Sequence, residues 1–153
     1  MINRRVFTLS ALSGAFAPSV LLAQSFEITR TDEEWREMLT DLQYQVMRHE
    51  ATERSGTNAL DKNYAAGTYV CRGCDLELYV SETKFDSRTG WPSFYASLPN
   101  AIGTKEDNTF FSKRTECHCR RCGSHLGHIF NDGPEPTGLR HCLNGASLVF
   151  IAA

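Results

Sequence analysis

Six cysteines and a pair of closely spaced histidines are the residues of this chain that could do chemistry. The cysteines stand at positions 71, 74, 117, 119, 122 and 142. Four of them form two C-x-x-C pairs, Cys71-Arg-Gly-Cys74 and Cys119-Arg-Arg-Cys122, with 44 residues between the pairs. A tight turn at a strand end aims two thiolates at one point, and two such turns supply the four tetrahedral ligands that Zn²⁺ takes at about 2.3 Å. Three disulfides would suit an oxidising compartment, and C-x-x-C pairs also serve as redox dithiols. Covalent haem is disfavoured, because Asp75 and Gly123 stand where C-x-x-C-H needs histidine. The spacing favours a structural zinc held by Cys71, Cys74, Cys119 and Cys122.

Two cysteines then remain. Cys142 lies in the short extended stretch "TGLRHCLNGASLVF". Period-two alternation puts Arg140, Cys142 and Asn144 on one face and His141 and Leu143 on the other. A guanidinium beside a thiol favours the reactive thiolate. His125 and His128 add candidate proton donors, although three residues apart in a strand they need not share a face. Cys117 shares a strand face with Cys119, but a closed four-thiolate site has no vacancy for it.

These residues need elements to place them. Thr31-Asp-Glu-Glu34 reads as a capping box opening a short helix that carries Trp35, Met38 and Leu39. Thr40-Asp-Leu-Gln43 caps a second, with Leu42, Val46 and Met47 on one face. Residues 51–67 read as an irregular wrap. Beyond Gly67 the chain turns extended: "TYVC", "LELYV", "NTFFSKRTECHC", "HLGHIF", "RHCLN" and "ASLVFIA" are short, rich in β-branched and aromatic residues, and bounded by turn formers. The fold class expected is mainly β (α+β): short N-terminal helices on an antiparallel β domain.

With 153 residues, 41% apolar and 22% charged, the composition is that of one globular domain. The first 23 residues differ from the rest. "NRRVFTL" matches the twin-arginine export signal and is followed by a mildly apolar stretch. We expect cleavage after Ala23, delivery to the periplasm, and a domain over 24–153. Removing residues 1–23 takes away Arg4 and Arg5 and no acid, leaving 14 basic against 18 acidic residues and a net charge of −4. Such a domain is a poor binder of nucleic acid or anionic lipid, so neither a nucleic-acid partner nor stable membrane association after cleavage is expected.

"GTYVCRGCDLELY", "KFDSRTGWPSF" and "RTECHCRRCGSHLGHIFNDGPEPTGLRHCLNGASLVF" together resemble methionine-R-sulfoxide reductase of the B type, over about residues 40–150. The resemblance implies two antiparallel sheets forming a rolled, zinc-stapled domain, with the metal remote from substrate. It implies that Cys142 attacks the sulfoxide sulfur and becomes a sulfenic acid, with Arg140 lowering its pKa. His125, His128 and Asn144 would position and protonate the departing oxygen, and Trp91 would meet the S-methyl group. The partners implied are oxidised protein or free methionine sulfoxide and a thioredoxin-like or other thiol reductant. One departure is informative: many members carry a resolving cysteine two residues before the Trp of "GWPSF", where this chain has Thr89. Cys117, the thiol left over from zinc, is therefore the candidate to resolve the sulfenic acid. A non-catalytic zinc-stapled binding module is the competing reading, and a dithiol oxidoreductase a third. Cys142 between Arg140 and Asn144 is the feature a binding module has no need to keep.

Overall fold

The computed structural model describes residues 25–110 and 112–153. The export-signal expectation for residues 1–23 lies outside them. Helix α1 (Asp32–Met38) and helix α2 (Asp41–His49) open the described chain, each behind a complete capping box at Thr31 and Thr40. Each threonine hydroxyl accepts from the N3 amide while the Glu34 or Gln43 side chain accepts from the threonine's own N–H. The buried face of the pair is Trp35, Leu39, Tyr44, Val46 and Met47. Leu42, expected on one face with Val46 and Met47, is instead exposed, as is Met38, at the junction of two short helices.

Nine strands follow among the described residues: β1 (Gly67–Cys71), β2 (Glu77–Val80), β3 (Lys84–Phe85), β4 (Ser93–Phe94), β5 (Ile102–Phe110), β6 (Ser112–Cys119), β7 (His125–Phe130), β8 (Arg140–Leu143) and β9 (Leu148–Ala152). They form two antiparallel sheets, one in the order β2-β1-β9 and one in the order β3-β4-β8-β7-β6-β5. The mainly β, two-sheet architecture with short N-terminal helices is thus as expected. The stretch "NTFFSKRTECHC", read as one strand, is divided between β5 and β6, and β5 begins earlier, at Ile102.

The core lies where Tyr69, Leu78 and Tyr79 of the small sheet meet Phe94, Leu126 and Leu143 of the large one. Tyr69 and Tyr79 each pack on Phe94, with ring centroids 4.9 and 4.6 Å apart. Such aromatic pairs stabilise by roughly 0.5–1.5 kcal/mol beyond the area they bury. The packing fixes β4, and β4 is the hydrogen-bonded neighbour of β8.

Candidate active site and metal centre

The two C-x-x-C turns have the same construction. Cys71 ends β1 and Cys119 ends β6, so one knuckle belongs to each sheet. Each turn closes with a residue of positive φ just after its second cysteine, Asp75 at 57° and Gly123 at 70°. The amides of Asp75 and Gly123 donate to the carbonyls of Cys71 and Cys119 at 2.8 and 2.9 Å. All four sulfurs lie within 4.8 Å of one another, with Cys71–Cys122 at 3.6 Å and Cys74–Cys119 at 3.5 Å. Four thiolates at zinc's bond length would be about 3.8 Å apart. The donor set and spacing therefore fit a structural zinc that ties one sheet to the other.

The second centre is a row across the large sheet. Ser93, Cys142, His128, Glu116 and Lys105 are successive partners on β4, β8, β7, β6 and β5. Directly opposed residues share a face, so Cys142, His128 and Glu116 stand side by side. Cys119 lies three residues further along β6, about 10 Å at the usual strand rise, which separates metal and row.

His125 joins the row through an irregularity. Between Cys117 and His118 the β6–β7 register shifts, so that His118 pairs with His125. The extra β7 residue returns His125 to the side of His128, and their rings meet edge-on at 5.5 Å. Gly127 permits this. A Cβ there would lie 2.0 Å from the Cys142 carbonyl oxygen, so only glycine lets β7 and β8 come so close.

Cys142 is half-buried at a cavity of about 170 Å³ lined also by Thr52, Trp91, His128, Phe130 and Asn144. Its sulfur lies 3.9 Å from the Thr89 hydroxyl, which touches Ser87 at 2.8 Å, and Ser87 touches Ser93 at 2.7 Å. Burial raises the Cys142 pKa, and Arg140, Thr89 and Ser93 only partly offset it. Arg140 thus acts in the direction expected, lowering the thiol's pKa, although burial outweighs it. Its guanidinium is held in place by a two-pronged ion pair with Asp132, both bonds 2.9 Å, and stacks on Phe130.

The other expected residues are held firmly. Trp91 Nε1 donates to the Glu53 carbonyl at 3.0 Å. Asn144 Oδ1 accepts from the Glu53 amide at 2.9 Å, and its Nδ2 donates to the Leu126 carbonyl at 3.2 Å. The Glu53 carboxylate, itself buried, accepts from the amides of Gly145 and Ala146. Nothing in the sequence pattern marks Glu53, in the stretch read as irregular, as the hub that fixes Trp91, Asn144 and the segment after Cys142. His128 Nε2 lies 2.8 Å from Asp107, which also pairs with Arg114 at 2.5 Å. Burial lowers the His128 pKa, against the raising effect of Asp107.

Cys117 is placed differently from the expectation. It pairs across to Gly127, and Gly127 to Leu143, so it occupies the face opposite Cys142. It is fully buried against the Tyr79 hydroxyl, and the β-sheet stands between the two sulfurs. A Cys117–Cys142 disulfide does not fit this arrangement, because neighbouring ladder positions point their side chains to opposite faces.

Residues 39–152 match the family model of the SelR domain. The chain belongs to the SelR-domain family. It is 48% identical over 127 residues to the peptide methionine sulfoxide reductase MsrB of Leptospira interrogans, covering 82% of this chain and 97% of that protein. It is 50% identical over 125 residues to the MsrB of Methanosarcina mazei, covering 81% of this chain and 89% of the relative. The MsrB of Pseudomonas putida W619 is also 50% identical over 125 residues, with 81% and 94% covered. Membership of the SelR-domain family agrees with the four-cysteine zinc centre and with methionine-R-sulfoxide reduction as the activity.

Proposed function

We propose that this SelR-domain protein reduces the R epimer of methionine sulfoxide at Cys142. The observation that carries the reading is a half-buried thiol opening on a cavity bounded by Trp91 and His128. In neutral His128 the ring proton sits on Nε2, donated to Asp107, and Nδ1 is left as an acceptor. The Cys142 thiol gives its proton to that nitrogen as its sulfur attacks the sulfoxide sulfur. The proton passes on to the sulfoxide oxygen as that oxygen transfers to Cys142. Methionine leaves and Cys142 remains as a sulfenic acid, so atoms and electrons balance without a further donor. Trp91 offers its indole to the S-methyl group. Asn144 has one amide proton beyond its bond to Leu126 with which to hold the oxygen.

Thr89 cannot form a disulfide and Cys117 faces away, so an external dithiol of the thioredoxin kind returns Cys142 to the thiol. The first reductant sulfur displaces water from the sulfenic acid, and the second releases Cys142 as a reductant disulfide forms. Beyond His128 the cavity adjoins a second of about 480 Å³ under His49, Glu50 and Ala51. That room beside the reacting side chain favours methionine sulfoxide within a protein. Residues 1–23 serve as a twin-arginine signal on this reading, and residues 24–153 work in the periplasm; the Arg4-Arg5 pair is its support.

Turnover of separated R and S sulfoxide peptides, with dithiothreitol supplied, tests the chemistry. The R peptide is reduced and the S peptide is not, and Cys142→Ser abolishes turnover while retaining one zinc per chain. Near-normal turnover by that variant would end the mechanism.

A further inference from the structure

Glu116 is the largest unexplained cost in the site. It is 1% exposed, and taking a carboxylate out of water costs several kcal/mol unless its oxygens are fully engaged. Both are engaged by imidazoles: Oε1 lies 2.7 Å from His125 Nδ1 and Oε2 lies 2.9 Å from His118 Nδ1. With an oxygen committed to each ring, the carboxylate cannot rotate. Burial pushes the Glu116 pKa up, but the two histidine hydrogen bonds outweigh it and hold the group at about 2, so it is an anion at neutral pH.

An ionised carboxylate can only accept, so His125 carries a proton on Nδ1. Its Nε2 is buried and has no hydrogen-bond partner among the described residues. Glu116 is also the cross-strand neighbour of His128, which is in turn the neighbour of Cys142. His118 Nε2 is likewise buried and without a partner among the described residues, but that ring lies against Phe26 and Gly103, whereas the His125 ring meets His128 beside Cys142.

We propose that Glu116 is a positioning residue for sulfoxide reduction, acting through His125. It fixes the ring's orientation and tautomer, so that of the two His125 nitrogens Nε2 is the one left to exchange a proton, beside the His128 ring that takes the proton of Cys142. The inference rests on the reading of Cys142 and its histidines given above.

Glu116→Gln tests it, because an amide presents one oxygen to the two rings and turns an N–H toward the other. The variant is compared with wild type by steady-state reduction of a methionine-R-sulfoxide peptide, by zinc content and thermal melting, and by ¹⁵N NMR of the histidine rings. The expected result is a fall in kcat of roughly 10- to 1,000-fold with KM within about two-fold. The His125 ring should lose the Nδ1–H pattern it shows in wild type. A folded, zinc-loaded variant with kcat within about two-fold of wild type overturns the proposal. So does a wild-type His125 protonated only on Nε2, a measurement that stands even if the variant does not fold. A wild type inactive on the R sulfoxide overturns the underlying reading, and the inference with it.

Discussion

Thr89 stands where the family resemblance calls for a resolving cysteine, and that one difference has a clear chemical effect. Its hydroxyl stands 3.9 Å from the Cys142 sulfur, where it can donate to a thiolate but not trap a sulfenic acid. A thiol in its place has less than about 2 Å to close to reach disulfide length. We therefore expect Thr89→Cys to convert the protein to an enzyme that resolves its own intermediate. One equivalent of sulfoxide without reductant should yield, by peptide mapping, a disulfide between the introduced thiol and Cys142, whereas the unmodified chain accumulates a sulfenic acid that dimedone traps. A variant that still gives only the dimedone adduct would mean that the two positions do not approach during turnover. Thr89 was recognisable from sequence because it lies two residues before Trp91 in a contiguous motif. Glu53 and Glu116 were not. A buried acid looks like a solvated one until the chain that covers it is in place: the amides that satisfy Glu53 come from a segment far along the chain, and the imidazoles that satisfy Glu116, though near in sequence, face it only once β6 and β7 have paired.

Strands β7 and β8 set the spacing of the reactive row, and Gly127 sets the spacing of the strands. In Gly127→Ala the new methyl would overlap the Cys142 carbonyl and approach Leu143 Cα, so the backbones must separate. Overpacking of this kind costs about 1–3 kcal/mol and more when backbone must shift. Denaturant titration should show that loss, and turnover should fall by a larger factor than stability explains, since the row is displaced from both sides. Unchanged turnover would mean that the row tolerates a wider gap. At this scale the sequence was partly legible. The capping boxes and zinc knuckles were readable because their signals lie within four residues of chain. The register was not: a shift between Cys117 and His118 brings His125 beside His128, and no local pattern announces a pairing irregularity. The same alternation that correctly placed Cys142 opposite His141 leaves Cys117 and Cys142 on opposite faces once Gly127 and Leu143 are known to lie between them.

For the molecule as a whole, zinc is the joint between sheets, since Cys71 and Cys119 end strands of different sheets. Structural zinc contributes of order 10 kcal/mol to folding in small zinc-finger peptides, comparable to the whole stability of a domain this size. Chelation should therefore release one zinc per chain and remove the near-ultraviolet circular dichroism of the packed aromatic core together, in one transition. A metal-free protein that kept that signal and its activity would show that the sheets hold without the joint. The small sheet has a further consequence, one of timing. β1 has β9 as one of its two partners, paired from Gly67–Ala152 to Cys71–Leu148, so its neighbour is translated about 80 residues after it. At roughly 5–20 residues per second, Tyr69 and Val70 wait about 4–16 s on the ribosome with one side of their strand uncovered. In that interval the nascent chain offers an open strand edge to any other chain nearby, so aggregation of this protein should respond to the speed of translation more than to its finished stability.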